Sequence, residues 1–195
     1  MVADTYKAIF RRQGHGTHMA ILKIARMGHP VLLQKCHPVP DPGASEIRRL
    51  VADMIDTMMD APGVGLAAPQ VYQSLRLFVF RVPGGRETQD PDDAILGNTV
   101  LINPTVELIG EERVMGWEGC LSIPDLRAAV PRATRIRYRG VDCDGGVTER
   151  EATGFHARIV QHEYDHLDGI LYPMRMTDFR YFGFTDELNR AGAGE

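Results

Sequence analysis

The sequence lacks the features that mark membrane proteins, disulfide-rich secreted proteins and nucleic-acid-binding proteins. No apolar run approaches the roughly 20 residues that a membrane-spanning helix needs. The three cysteines are an odd number without the spacing of a disulfide framework, which favours a reducing compartment. The net charge is −4 and both signs are spread along the chain, so neither a basic nucleic-acid-binding face nor an acidic tail stands out. We therefore expect a cytoplasmic protein with no membrane and no sequence-specific nucleic acid as its partner.

The residues that are present fit a single domain of the α+β class. The 195 residues include 44% apolar ones, enough for one core that buries about 70% of the surface of the unfolded chain. Apolar residues recur at helical spacing over Ser45–Asp60, and strand-like runs occur at Leu75–Val82 and Val100–Ile102. Ala133–Asp142 and Val147–Ala152 flank a turn containing two glycines and predict a hairpin. We expect short, mixed or antiparallel strands packed around a second helix.

That second helix carries the most informative segment, Gln161–His166, which places two histidines four residues apart. In a helix this spacing brings His162 and His166 to one face, where both rings can reach a single metal ion. Glu163 would lie beside the ion. A carboxylate in that position can take a proton from a metal-bound water, as hydrolysis at neutral pH requires.

The flanking sequence favours a helix for this segment. Thr153 offers a side-chain oxygen as N-cap, and Gly169 suits the left-handed position after the C-terminus. Several residues between them recur at three- and four-residue intervals that predict one buried stripe: Phe155, Ile159, His162, His166 and Leu167. Core packing would therefore hold the two histidines in place.

Two histidines make an incomplete metal site. Catalytic zinc usually has three protein ligands and one open position. Spacing leaves Glu187 as an alternative, but Cys120, in Trp117–Ser122, is the better candidate because a thiolate is a strong ligand for zinc or ferrous iron. The competing interpretation is that Cys120 is a small buried apolar residue.

A third motif changes the balance in favour of a ligand role for Cys120. Gly63–Gln70 joins a predicted helix to a predicted strand with small residues that let main chain lie against a ligand. The three segments Gly63–Gln70, Glu118–Ser122 and Gln161–Gly169 resemble the signature motifs of the peptide deformylase family, in that order. Spacing agrees, since Gln70, Cys120 and His162 are separated by 50 and 42 positions. The resemblance covers about Ile21 to Tyr172.

The resemblance implies a metal-dependent enzyme. Cys120, His162 and His166 would bind one divalent ion, with water in the fourth position. The resemblance implies Fe²⁺ in the cell, with Zn²⁺, Ni²⁺ or Co²⁺ as ions that purified protein could hold. The reaction implied is hydrolysis of the N-formyl group from the initiator formyl-methionine of new polypeptides, with release of formate.

Catalytic roles follow from the same resemblance. Glu163 would be the general base that receives the proton of water and delivers it to the departing amine. Gln70, through its side-chain amide, and Leu121, through its backbone N–H, would donate to the developing oxyanion.

Substrate contacts are implied as well. Val64 and Gly65 would pair with an extended peptide, and Arg127 would meet its more distal part. The remaining candidates for substrate binding are Trp117, Gly119, Phe155 and Ile159, with Arg158 as a doubtful addition because only its stem is apolar. Glu118 and Arg132 match positions that form an ion pair behind the site, whereas the alternative reads them as solvated surface charges.

The first domain boundary follows from Met19–Ile24, which resembles the usual N-terminus of the family. Residues 1–18 read as an N-terminal extension, residues 19–176 as the catalytic domain and residues 177–195 as a short tail. An organellar presequence in residues 1–18 is the alternative to a cytoplasmic location. The implied partners are N-formylmethionyl peptides and nascent chains, with transient contact to the ribosome.

Two other functions share some of these features. A peptidase with the same helix motif would cleave internal peptide bonds and would favour a glutamate over Cys120 as third ligand. A non-catalytic protein with a structural metal would have its fourth coordination position closed by protein.

Overall fold

A computed structural model describes residues 20–85, 90 and 92–192, so the predicted extension at residues 1–18 lies outside the described part. The α-helices are α1 (Ser45–Asp60), α2 (Gly154–Leu167) and α3 (Thr185–Arg190). The strands are β1 (Gly65–Ala67), β2 (Leu77–Val82), β3 (Leu96–Cys120), β4 (Ile123–Val141), β5 (Val147–Thr153) and β6 (Phe182–Phe184). Short 3-10 helices span Pro30–Leu33, Ala68–Val71, Tyr172–Arg175 and Phe179–Tyr181. None of the helices in these ranges has the length and apolar character that a membrane crossing requires.

The described strands form one six-stranded sheet in which neighbouring strands pair antiparallel. The order is β1-β2-β3-β4-β5, and β6 pairs with the first part of β4, from Leu126 to Ala128. The α+β class is confirmed, and so is the hairpin of β4 and β5. Residues 177–192, predicted as a tail, contribute both β6 and α3.

Two strands are far longer than the sequence predicts. β3 has 25 residues where only Val100–Ile102 was expected, and β4 has 19. Register shifts between Ile109 and Arg113, and between Gly119 and Cys120, break the alternation of apolar and polar residues that identifies a strand. The hairpin of β3 and β4 therefore continues past the main sheet and ends beside α2, with Cys120 at its tip.

The two long helices cover opposite faces of the sheet. α1 forms as predicted and buries Leu50, Met54 and other apolar residues against Leu77 and Val79 of β2. α2 instead buries Val160 and its neighbours against Phe78 and Phe80. Successive strand residues point to opposite faces, so β2 lies between the helices.

The N-terminus of α2 differs from the prediction. Thr153 occupies the N-cap position, but its hydroxyl has no hydrogen-bond partner among the described residues. Instead, the backbone N–H of His156 donates to Asp93 Oδ1 at 3.0 Å. Gly154 has φ +55°, and a Cβ there would lie 2.3 Å from Asp93 Oδ2, so glycine is needed for this approach. The C-terminus agrees with the prediction, since Gly169 has φ +74°.

Candidate active site

The two predicted histidines and Cys120 come together where the tip of the β3–β4 hairpin meets α2. One ligand atom from each residue lies within 4.8 Å of the others, and Cys120 Sγ is 3.3 Å from His166 Nε2. A thiolate and two imidazoles form a donor set that suits Zn²⁺ or Fe²⁺. Glu187 is not part of this group: it is exposed on α3 and pairs with Arg190. Cys120 is therefore the geometric third member.

His162 is oriented by a carboxylate behind it. Its Nδ1 lies 2.8 Å from Glu118 Oε2, and a carboxylate there accepts the Nδ1–H and leaves Nε2 available as a ligand atom. Burial lowers the pKa of His162, but the neighbouring Cys120 and Glu118 more than offset it and raise the pKa above its ordinary value. A histidine binds metal through its neutral ring, so metal binding at Nε2 is coupled to the protonation of this side chain. Burial, together with the neighbouring charges of His162 and Arg132, holds the pKa of His166 well below its usual range.

Glu118 is the centre of a buried set of charges. Arg132 donates to both oxygens of Glu118, at 2.8 and 2.9 Å. Glu118 is 6% exposed and Arg132 is 4% exposed. The alternative that these are solvated surface charges does not fit this burial. Burial raises the pKa of Glu118, but the bonds from Arg132 and His162 outweigh it and hold the pKa well below its ordinary value. Glu118 is therefore an anion at neutral pH.

Glu163 points into the same region without a charge partner of its own. Burial raises the pKa of its carboxyl to about 7, and Oε2 has no hydrogen-bond partner among the described residues. Gly65 of β1 lies against it, because a Cβ built at that glycine would be 2.2 Å from Oε1. A carboxyl with a pKa near neutral can both accept and release a proton.

Gln70 and Leu121 are both next to Cys120, Gln70 through its side chain and Leu121 along the chain. The Gln70 side chain is 1% exposed, and its Nε2 is 3.4 Å from Cys120 Sγ and donates to Ser122 Oγ at 3.1 Å. Its Oε1 accepts from the backbone N–H of Ala67, which fixes the direction of the amide. Leu121 lies in the turn after Cys120.

A cavity of about 600 Å³ opens in front of these groups. The sequence predicted most of its lining, including Val64, Gly65, Trp117, Gly119, Arg127, Phe155 and Ile159. It is also lined by Gln70, Cys120, Leu121, His162 and Glu163, so the candidate catalytic and substrate-binding residues share one space. Arg132 and His166 are not among the lining residues.

An N-terminal segment that the sequence did not single out holds two parts of the site together. The backbone N–H of Ala25 donates to the carbonyl of Gln70 at 2.7 Å, and that of Met27 donates to the carbonyl of Ser122 at 2.8 Å. Such backbone contacts carry no side-chain signature.

The chain is similar to known proteins over most of its length. The model of the polypeptide deformylase family matches residues 21–181. The chain belongs to this family. Peptide deformylase 1 of Xanthomonas campestris pv. campestris is 51% identical over 171 residues, 87% of this chain and 98% of that protein. Peptide deformylase 1 of Nitrosomonas europaea is 50% identical over 168 residues, 86% of this chain and 94% of that protein.

A solved structure also matches the deformylase fold. The class I type b peptide deformylase of Acinetobacter baumannii with bound Met-Ala-Ser superposes with a TM-score of 0.73 at 36% identity, covering 82% of this chain and all of that one. This deformylase is thus a hydrolase with a candidate metal site formed by Cys120, His162 and His166.

Two polar residues of the deformylase site, Asp165 and Arg158, have contacts that the sequence analysis did not predict. Asp165 accepts from Arg132 at 2.6 Å and from Arg175, and so connects the buried charges to the surface. Arg158 donates to Glu118 Oε1 at 2.9 Å. Asp165 was hidden inside the histidine motif, and Arg158 was considered only as part of a pocket wall.

Proposed function

We propose that this deformylase removes the formyl group from the formyl-methionine at the N-terminus of newly made polypeptides and releases formate. One observation carries the proposal: the buried carboxyl of Glu163 and the cluster of Cys120, His162 and His166 line or adjoin one cavity. The Met-Ala-Ser bound to the Acinetobacter baumannii protein, a peptide that begins with methionine, supports this choice of substrate.

The three ligand residues fit one divalent cation, and we expect Fe²⁺ in the cell, with Zn²⁺, Ni²⁺ or Co²⁺ as substitutes in purified protein. The bound cation would polarise the formyl carbonyl and lower the pKa of water. Glu118 would keep His162 in the tautomer that offers Nε2 to the cation.

The side chains around the cation would divide the proton transfers and the charge. Glu163 accepts the proton of the attacking water and passes it to the amine of methionine as the C–N bond breaks. Gln70 Nε2 and the N–H of Leu121 donate to the formyl oxygen as its negative charge develops. Removal of such a donor typically costs about 3 kcal/mol of transition-state stabilisation.

The cavity provides the contacts for a peptide. The main chain of Val64 and Gly65 would pair with the extended substrate as an added strand. Trp117, Phe155 and Ile159 would form the apolar wall around methionine. Arg127, whose guanidinium lies 5.9 Å from the centre of the Trp117 ring, would meet residues beyond methionine. Gly119 would let the peptide main chain approach closely.

Formate release from formyl-Met-Ala-Ser tests the proposal. Protein prepared without oxygen and loaded with Fe²⁺ should release formate, and Glu163→Ala should retain the metal but lose about 10²-fold or more of kcat. Cys120→Ala should lose the metal as well. Arg137→Ala, a change at an exposed ion pair, is the control for handling.

Three results would count against the proposal. A ferrous wild type that releases no formate would contradict the substrate. Equal formate release by Glu163→Ala would contradict the base. Cleavage of internal bonds in a peptide with an acetylated N-terminus would favour a peptidase instead.

The setting in the cell follows from the substrate. Formylated chains emerge from the ribosome, so we also propose a cytoplasmic location, with an organelle as the alternative, and a transient ribosome contact. Sedimentation of the enzyme with ribosomes carrying formylated nascent chains, compared with empty ribosomes, would test that contact.

A further inference from the structure

Arg158 lies one helical turn before His162 on α2 and is buried, with its side chain 10% exposed. Its guanidinium does not point into the cavity as a free charge. Nη1 donates to the backbone carbonyls of Gly116 and Val130, at 3.2 and 3.0 Å, and Nη2 donates to the carbonyl of Val114 at 2.9 Å. The carbonyls belong to both strands of the β3–β4 hairpin, so Arg158 ties α2 to that hairpin.

Gly116 leaves room for the guanidinium. A Cβ built there would lie 2.6 Å from Arg158 Nη2 and 2.7 Å from its Cζ, much closer than non-bonded carbon atoms approach. The three carbonyl oxygens and the absence of a side chain at Gly116 therefore leave a space that fits the guanidinium of one arginine. Burial lowers the pKa of this guanidinium, although Glu118 partly offsets the effect.

The fourth acceptor of Arg158 is Glu118 Oε1, at 2.9 Å. Glu118 thus receives bonds from four donors: Arg132 Nε and Arg158 Nη1 on Oε1, and Arg132 Nη2 and His162 Nδ1 on Oε2. Rotation of the carboxylate away from His162 would break bonds to both guanidiniums. The carboxylate is accordingly fixed from two sides, one in the sheet and one in the helix.

We propose that Arg158 is a positioning residue for the metal site: through Glu118 it holds the His162 ring in the orientation that binds the cation. The inference rests on the ligand role of His162 in the proposed function. Arg132 alone would leave Glu118 Oε1 with one donor, and the bond to His162 itself would be the remaining direct connection between the carboxylate and α2. Residues that orient a metal-bound histidine typically contribute 10- to 100-fold in metal affinity or activity.

Binding of Co²⁺, measured by competition with a chelator and by the visible absorption of the bound ion, tests this role without any substrate. Arg158→Met should weaken Co²⁺ binding about 10- to 100-fold. Arg158→Lys should restore part of the affinity, because an ammonium can reach Glu118 but cannot form the four-acceptor fork. The result is independent of which peptide the enzyme hydrolyses, so it can fail while deformylation stands.

The matched control is Arg76→Met. Arg76 is also a poorly exposed arginine, and it donates at the C-terminal end of α2 to the Leu167 carbonyl at 3.3 Å and to Oδ1 of the following residue, Asp168, at 2.8 Å. Within the described part of the chain, Arg76 forms no hydrogen bond or ion pair with Glu118. We expect a loss of thermal stability in Arg76→Met with unchanged Co²⁺ affinity.

A double-mutant cycle separates positioning from general structural support. In a Glu118→Gln background, Arg158→Met should weaken Co²⁺ binding much less than in the wild type, because the connecting carboxylate is altered. Equal losses in both backgrounds, or wild-type affinity in Arg158→Met, would overturn the inference. If Arg158→Met does not fold, Gly116→Ala takes its place, because this change displaces the guanidinium but keeps its charge. Weaker Co²⁺ binding by Gly116→Ala would support the role of Arg158, and unchanged binding would contradict it.

Discussion

β4 contributes arginines to two clusters of opposite character. The buried cluster consists of Arg132, Glu118, Asp165 and Arg158, and its side chains are at most 10% exposed. The outer ladder consists of Arg135, Arg137 and Glu151, whose side chains are 31 to 46% exposed. The distances are alike, since the shortest arginine–carboxylate contacts are 2.6 Å in the buried cluster and 2.7 Å in the outer ladder.

Ion-pair distances alone therefore do not determine how much an ion pair contributes to stability or to the site. Water screens the outer ladder, and such pairs contribute little to stability. In the buried cluster each charge has lost its hydration, so removal of one partner leaves another charge without compensation. The buried cluster is also in contact with a metal-ligand candidate, His162, whereas the outer ladder connects β4 to β5, to Glu107 of β3 and to Asp92.

The largest expected difference is in stability after loss of a carboxylate. Glu118→Ala removes the shared partner of Arg132, Arg158 and His162, and the free energy of unfolding should fall by about 3–5 kcal/mol. Glu151→Ala removes the shared partner of Arg135 and Arg137 in water and should cost much less. Urea denaturation of both variants measures the difference. Similar losses would show that burial does not separate the clusters.

The second difference lies in the response to pH. In metal-free protein, burial raises the pKa of Glu163 to about 7 from 4.5, so its contribution to stability is complete below pH 4.5 and is lost as the pH rises to about 7. The wild type should therefore lose at most roughly 3 kcal/mol of unfolding free energy over this pH interval. Glu163→Gln, which cannot ionise, should not show this loss. Unfolding free energies of wild type and variant across this interval measure it.

Glu151 provides the control with the opposite sign. Bonds from Arg137 and Arg135 lower its pKa, so its contribution is present above its unfolded pKa and is lost as the pH falls through the folded one. Glu151→Gln should thus lose its effect at acid pH. The comparison fails if both variants change the pH dependence of stability in the same direction.

The smallest expected change in stability comes from two glycines. Gly65→Ala would place a Cβ 2.2 Å from Glu163 Oε1, whereas a Cβ at Gly97, on the exposed part of β3, meets no atom within 4 Å. Because the Glu163 side chain, from its Cγ outward, is the group that must move, Gly65→Ala should cost about 1 kcal/mol of stability. Displacement of the Glu163 carboxylate should nevertheless reduce kcat for formate release about 10²-fold. Gly97→Ala should keep wild-type kcat, and equal kcat in the two variants would contradict a role for Glu163 as base.

The local parts of this molecule could be predicted from the sequence. The apolar period located α1 at Ser45–Asp60, and the spacing of His162 and His166 identified one face of α2. Cys120 became a strong third ligand only through its resemblance to a family motif, because a lone cysteine has no local signal. The length of β3 could not be predicted, since its bulges interrupt the alternation on which strand prediction depends.

Helix periodicity and the order of three motifs determined the class of this protein, its family and the set of atoms that could hold a cation. Only the tertiary structure decided which distant groups complete the site. These groups are Asp93 at the start of α2, Arg158 against Gly116, and Asp165 beside Arg132. The physical reason is that periodicity reports contacts one helical turn apart. A buried charge, in contrast, must find its partner wherever the folded chain brings one within hydrogen-bond reach.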